Sequence, residues 1–125
     1  MKFSVNQQDL QKSLGYCQGV IEKRSTLPIL SNILIEAANS KLKITATDLD
    51  LIFVNEISNI KIFDEGKTTT SSSIMFDIVR KIPSGSQINF ENTGESNVQL
   101  ESNKSLVNLL SLNASVFPFT DDYFS

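Results

Sequence analysis

The chain has no histidine, no tryptophan and one cysteine, Cys17. Without imidazole, no Ser-His-Asp or Cys-His nucleophile, no His-containing zinc site and no imidazole proton shuttle can be assembled. A single thiol makes neither an internal disulfide nor a thiolate zinc cluster. Cys17 falls on the apolar face of a predicted helix, where a cysteine packs as a small core residue rather than acting as a nucleophile. The five glycines, Gly15, Gly19, Gly66, Gly85 and Gly94, are isolated. They form no phosphate-cradling loop and are read as residues of turns and helix ends. Long apolar runs are missing too, so nothing spans a bilayer. Met1-Lys2-Phe3-Ser4-Val5 alternates polar and apolar residues instead of placing a basic segment before a long apolar one. No secretory signal is read there, and the expected location is cytoplasmic.

What is present describes an ordinary globular domain. The 125 residues are 40% hydrophobic and 20% charged, with a net charge of −3. A folded chain of that length buries roughly two thirds of its unfolded surface, enough for a core without staples. Residues 2 to 5 read as a strand, and Asn6 followed by Asp9 resembles a helix cap with its capping-box partner. Leu10, Leu14, Cys17 and Ile21 then recur on one helical face, with Gln8, Gln11, Lys12 and Gln18 elsewhere, so Lys12 points away from the core. Pro28 keeps residue 27 extended, so the helix ends before it. Strands are predicted at Ile29 to Ala37, Lys41 to Thr47 and Leu49 to Ser58. In the second of these, Leu42, Ile44 and Ala46 alternate with Lys41, Lys43, Thr45 and Thr47, which predicts one buried and one wet face.

The same order returns. Lys67 to Thr70 is a short strand, Ser71-Ser72-Ser73 offers helix caps, and Met75, Ile78, Val79 and Ile82 form an apolar stripe, with Ser73, Asp77 and Arg80 opposite. Pro83-Ser84-Gly85-Ser86 stops this helix, and strands follow at Gln87 to Glu91, Asn97 to Glu101 and Lys104 to Leu112. The pattern is strand, helix, three strands, twice over. Residues 114–125, with Phe117-Pro118-Phe119 and Asp121-Asp122, read as the start of a linker to a further domain.

Several stretches resemble one family in order along the chain: Met1-Lys2-Phe3, Arg24-x-Thr26-Leu27-Pro28-Ile29-Leu30-x-Asn32, Thr47-Asp48-Leu49, Phe76-Asp77-Ile78-x-Arg80 and Phe117-Pro118-x-x-Asp121. Together they are similar to the first domain of the bacterial sliding clamp, the beta subunit of DNA polymerase III. The resemblance implies an α+β DNA-clamp fold, with two βαβββ repeats whose two helices pack on antiparallel sheets. It implies a non-catalytic processivity factor: a head-to-tail ring of two chains with three domains each, whose helices line a hole for duplex DNA. The ring tethers DNA polymerase III, and the polymerase and clamp loader dock on later domains. No cofactor, metal or membrane is implied.

Carried over by position, Arg24 matches a DNA-contacting arginine in the loop after the first helix. Lys12 and Arg80 match basic positions of the inner helices, and Lys23 and Lys81 stand beside these. Clamps often carry basic residues at the start of the second helix, where this chain reads Ser72-Ser73-Ile74-Met75. The last strand matches the edge that pairs with the partner chain, with Lys104, Leu106, Val107, Leu109 and Leu110 as its interface residues. Val107 and Leu109 share one face, Leu106 and Leu110 the other, so both faces are apolar at an expected sheet edge.

Two other readings compete. Asp48 and Asp50 point to one side of a strand and offer paired carboxylates or metal ligands, although no third ligand lies nearby and Asp48 also suits a turn between strands. Alternatively, the chain is a free-standing interaction domain that binds proteins by sheet addition at its last strand.

Overall fold

The structure, a computed structural model, describes residues 1–20, 32–47, 52–92 and 97–112, with the backbone alone at 20 and 110–112. In chain order the elements are β1 (Lys2–Asn6), α1 (Gln7–Val20), β2 (Asn32–Ala38), β3 (Lys41–Thr47), β4 (Ile52–Ile57), β5 (Ile60–Asp64) and β6 (Gly66–Ser71). Then follow α2 (Ser72–Val79), β7 (Gln87–Asn92), β8 (Asn97–Ser102) and β9 (Ser105–Leu112).

Both helices start where a short polar side chain replaces a missing backbone partner. Asn6 Oδ1 accepts from the Gln8 amide at 2.9 Å, and Ser71 Oγ accepts from the Ile74 amide at 3.3 Å. Leu10, Leu14 and Cys17 are fully buried beneath α1, as their spacing predicts, while Ile21 lies outside the described residues. On α2, Met75 and Val79 are buried but Ile78 is only half-buried, and Ile82 lies beyond the helix end. Gly85, at φ +91°, sits third in the Pro83–Ser86 turn, which the Ser86 amide closes on the Pro83 carbonyl at 3.2 Å.

The strands form two antiparallel sheets. One runs β4-β3-β2-β6 and the other β9-β8-β7-β1-β5, and they join where Ser111 and Leu112 of β9 pair with Thr70 and Thr69 of β6. Each repeat lends its first strand to the other repeat's sheet: β1 pairs with β7, and β6 with β2. The core lies between the sheets and the helices, with Phe3 and Phe90 of neighbouring strands stacked at 4.6 Å between ring centroids.

Four sequence expectations need correction. The run expected to end at Ser58 resumes after Asn59 as β5, an additional strand. β9 explains it: that strand pairs with β8 through Leu110 and then crosses to β6, whereas its counterpart breaks at Ser58-Asn59, so that β4 pairs with β3 and β5 with β1. Secondly, the far face of β3 is wet only at Lys41 and Lys43; Thr45 and Thr47 are buried, as is Leu34 opposite Thr45 on β2. Thirdly, Gly15 lies inside α1 rather than at its end, facing the Phe76 ring of α2, where a Cβ would make an ordinary contact at 3.6 Å. Lastly, β9 starts at Ser105, and Lys104 belongs to the turn before it, at φ 71°.

Candidate nucleic-acid interface

α1 and α2 lie side by side, and a groove of about 640 Å³ runs between them. Gln7, Gln11 and Lys12 line one wall, Phe76, Arg80 and Lys81 the other. Three of the basic residues singled out in the sequence are therefore brought to one surface. Lys12 and Lys81 are exposed. Arg80, whose amide caps α2 on the Phe76 and Ile78 carbonyls, reaches back to Asp77 with Nε–Oδ1 at 3.2 Å. Both side chains of that pair are more than half exposed, so water and salt screen it and it holds the guanidinium only loosely. Lys23 and Arg24 lie outside the described residues, as do Asp48 and Asp50.

The start of α2 divides by exposure. Ser72 is buried, its Oγ donating to Gln18 Oε1 of α1 at 3.0 Å, so that position belongs to helix packing. Ser73 and Ile74 are exposed, and these are the surface positions where the helix lacks a cation.

Sequence reasoning missed what sets the two walls of the groove. Gln7 is 2% exposed. Its Nε2 donates to the Val79 carbonyl at the end of α2 at 2.8 Å and to Gln11 Oε1 at 2.7 Å. Its Oε1, also buried, has no partner among the described residues. A glutamine at a helix start reads as a surface residue, and only the approach of α2 makes it a strut.

A second surface lies at the free edge of β9. Up to Leu110 this strand pairs only with β8 among the described residues. Beside it, a largely apolar groove of about 280 Å³ is lined by Ile78, Ile82, Leu100 and Val107, with Lys81 and Ser105 at its margin. Ile78 and Ile82, read as core from their spacing, thus face an open groove. Leu109 is buried in the chain's own core, while Leu106 on the opposite face is 55% exposed. The Leu110 side chain lies outside the described part.

Cys17 is buried, and burial pushes its thiol up to about 12, which keeps the thiolate scarce at neutral pH. No helix among the described residues is long and apolar enough to cross a membrane.

A family model described as the DNA polymerase III beta subunit, N-terminal domain, matches residues 1–121. The beta sliding clamp of Caulobacter vibrioides NA1000 is 36% identical over 119 residues, 94% of this chain and 32% of that protein. That of Escherichia coli K12 is 36% identical over 123 residues, 98% of this chain and 33% of its own length. The chain thus spans about a third of these curated relatives. Among solved structures, a DNA polymerase sliding clamp from Caulobacter crescentus superposes with TM-score 0.89 at 36% identity, over 96% of this chain and 32% of that one. One from Bacillus subtilis reaches 0.90 at 24% identity, covering 96% and 33%, a likeness of fold alone.

Proposed function

Because the chain belongs to the DNA polymerase III beta subunit family as its N-terminal domain, we propose that it is one segment of a ring-shaped sliding clamp around duplex DNA. The observation that carries this reading is the groove between α1 and α2, where Lys12, Arg80 and Lys81 share one exposed surface. Scattered cations on polar helix faces suit a phosphate backbone contacted without base reading. Arg24 and Lys23 would extend the same lining from the loop after α1. Net charge is −3, which argues against tight independent binding to DNA. A closed ring removes the conflict, because topology prevents escape while weak contacts permit sliding.

A ring segment needs two joints. Among the described residues, the free strand edges include β4 on one sheet and, on the other, the first six residues of β9 and the far strand β5. The β9 edge, with Lys104, Leu106 and Val107 and the apolar groove beside it, suits a second clamp chain. β4 suits the next domain of the same chain. The module catalyses nothing. DNA polymerase III and the clamp loader would engage later domains, in the cytoplasm where the chromosome is copied.

Salt and topology test the reading together. The isolated chain is expected to bind duplex DNA only at low salt, with affinity falling steeply as salt rises. The full-length protein, once loaded, is expected to stay on closed circular duplex at salt that strips the isolated chain, and to leave when the circle is cut. Tight binding of the isolated chain at physiological salt would overturn the topological account.

A further inference from the structure

Tyr16 stands one helical turn beyond Lys12, and 51% of it is exposed. Helical spacing puts Gln8, Lys12 and Gly19 on the crest of α1 and Tyr16 on its shoulder toward β4. There its ring meets Phe53 of β4 edge-on, with centroids 6.0 Å apart and planes at 66°. Tyr16 and Lys12 together line a groove of about 340 Å³ beside β4. The ring is therefore supported from one side while much of its surface stays open to solvent. A tyrosine has only two side-chain torsions, so such a support orients it at little entropic cost.

The exposed stripe of α1 carries one cation, Lys12. Neutral hydroxyls, tyrosine's included, are regular donors to phosphate oxygens and need no charge to reach them. From these placements we infer that Tyr16 contacts the DNA backbone, its hydroxyl donating to a phosphate oxygen next to the one that Lys12 attracts. Phe53 acts as the positioning residue that holds the ring at the groove's rim. The inference rests on the reading that α1 faces duplex DNA, and it adds a neutral donor to a lining otherwise described by its cations. A neutral donor also suits sliding, since it exchanges one phosphate for the next without a counterion being taken up or released.

That difference supplies the test. A short duplex is titrated into the chain at several low salt concentrations, and log affinity is plotted against log salt. Lys12→Ala removes one phosphate-neutralising charge and should flatten the slope by about 0.9. Tyr16→Phe removes the hydroxyl alone and should weaken binding about threefold to tenfold at every salt concentration with the slope unchanged. The melting temperature should not move. Tyr16→Phe binding like the unaltered chain, or altering the slope, overturns the inference. A flattened slope for Lys12→Ala in the same series would leave the DNA reading standing. If the unaltered chain binds no duplex at the lowest salt, both fall.

Discussion

At the start of α1, Gln7 ties two helices together from inside a groove whose rim is polar. Its donation to Val79 reaches a carbonyl at the last turn of α2 that also accepts from the Ile82 amide at 3.1 Å, so Gln7 adds a second bond there. Gln7→Met keeps the volume and removes both donated bonds, leaving the Val79 carbonyl with the Ile82 amide alone. The two lost bonds together should cost about 1–3 kcal/mol. Removing the unpartnered Oε1 returns part of this, so a net loss of about 1–2 kcal/mol is expected in urea unfolding. An unchanged midpoint would mean that the two bonds add nothing to stability. Because the strut separates Lys12 from Arg80 and Lys81, the same variant should blur the groove before it unfolds the domain.

Among the elements, the β2–β3 hairpin shows how local chemistry and long-range placement combine. Asn39 and Ser40 both hold positive φ, 54° and 62°, the two-residue turn whose twist matches antiparallel strands. Asparagine enters this region readily and serine does not. Ser40→Gly relieves the second position and should stabilise the chain by about 0.5–1 kcal/mol, read as a higher melting temperature. The Asn39 amide, which donates to Glu65 Oε2 at 3.0 Å, should be undisturbed. Elements governed by such local signals were legible in the sequence: the Asn6 and Ser71 caps, the Leu10-Leu14-Cys17 stripe and the Gly85 turn. Elements governed by distant partners were not. Ile60-Lys61-Ile62 alternates like a strand, but its place beside β1 follows from a sheet crossing at Ser58-Asn59 that the run itself does not encode. Gly15 reads as a residue of a helix end, but the helix runs on through it to Val20. Thr45 and Thr47 look solvated because alternation along β3 reports one covered face and is silent about the other. Of the candidate site, Lys12, Arg80 and Lys81 could be named from sequence, whereas Gln7 and Tyr16 needed the approach of α2 and β4.

At the scale of the whole molecule, the repeat leaves two similar edges that differ in what flanks them. The groove between α2 and β9 is lined by Ile78, Ile82 and Val107. Its counterpart between α1 and β4 is lined by Asp9, Asn55, Glu56 and Asn59 together with Tyr16. An apolar joint gains free energy from excluding water, and a polar one gains specificity from pairing. On the proposed reading, the apolar β9 joint holds two chains together, while β4 meets a domain already tethered by the chain. Leu106, exposed on β9, tests this without touching the core. Leu106→Asp would place a carboxylate where the partner strand excludes water, and a cost of at least 1.4 kcal/mol corresponds to a dimer about tenfold weaker. Val54 is similarly placed on β4 and 36% exposed. Val54→Asp should leave the two-chain equilibrium of the full-length protein unchanged in sedimentation, because the joint it meets is closed within one chain. Equal weakening by both variants would show that the flanking chemistry does not distinguish the edges, and no weakening by Leu106→Asp would remove β9 from the joint.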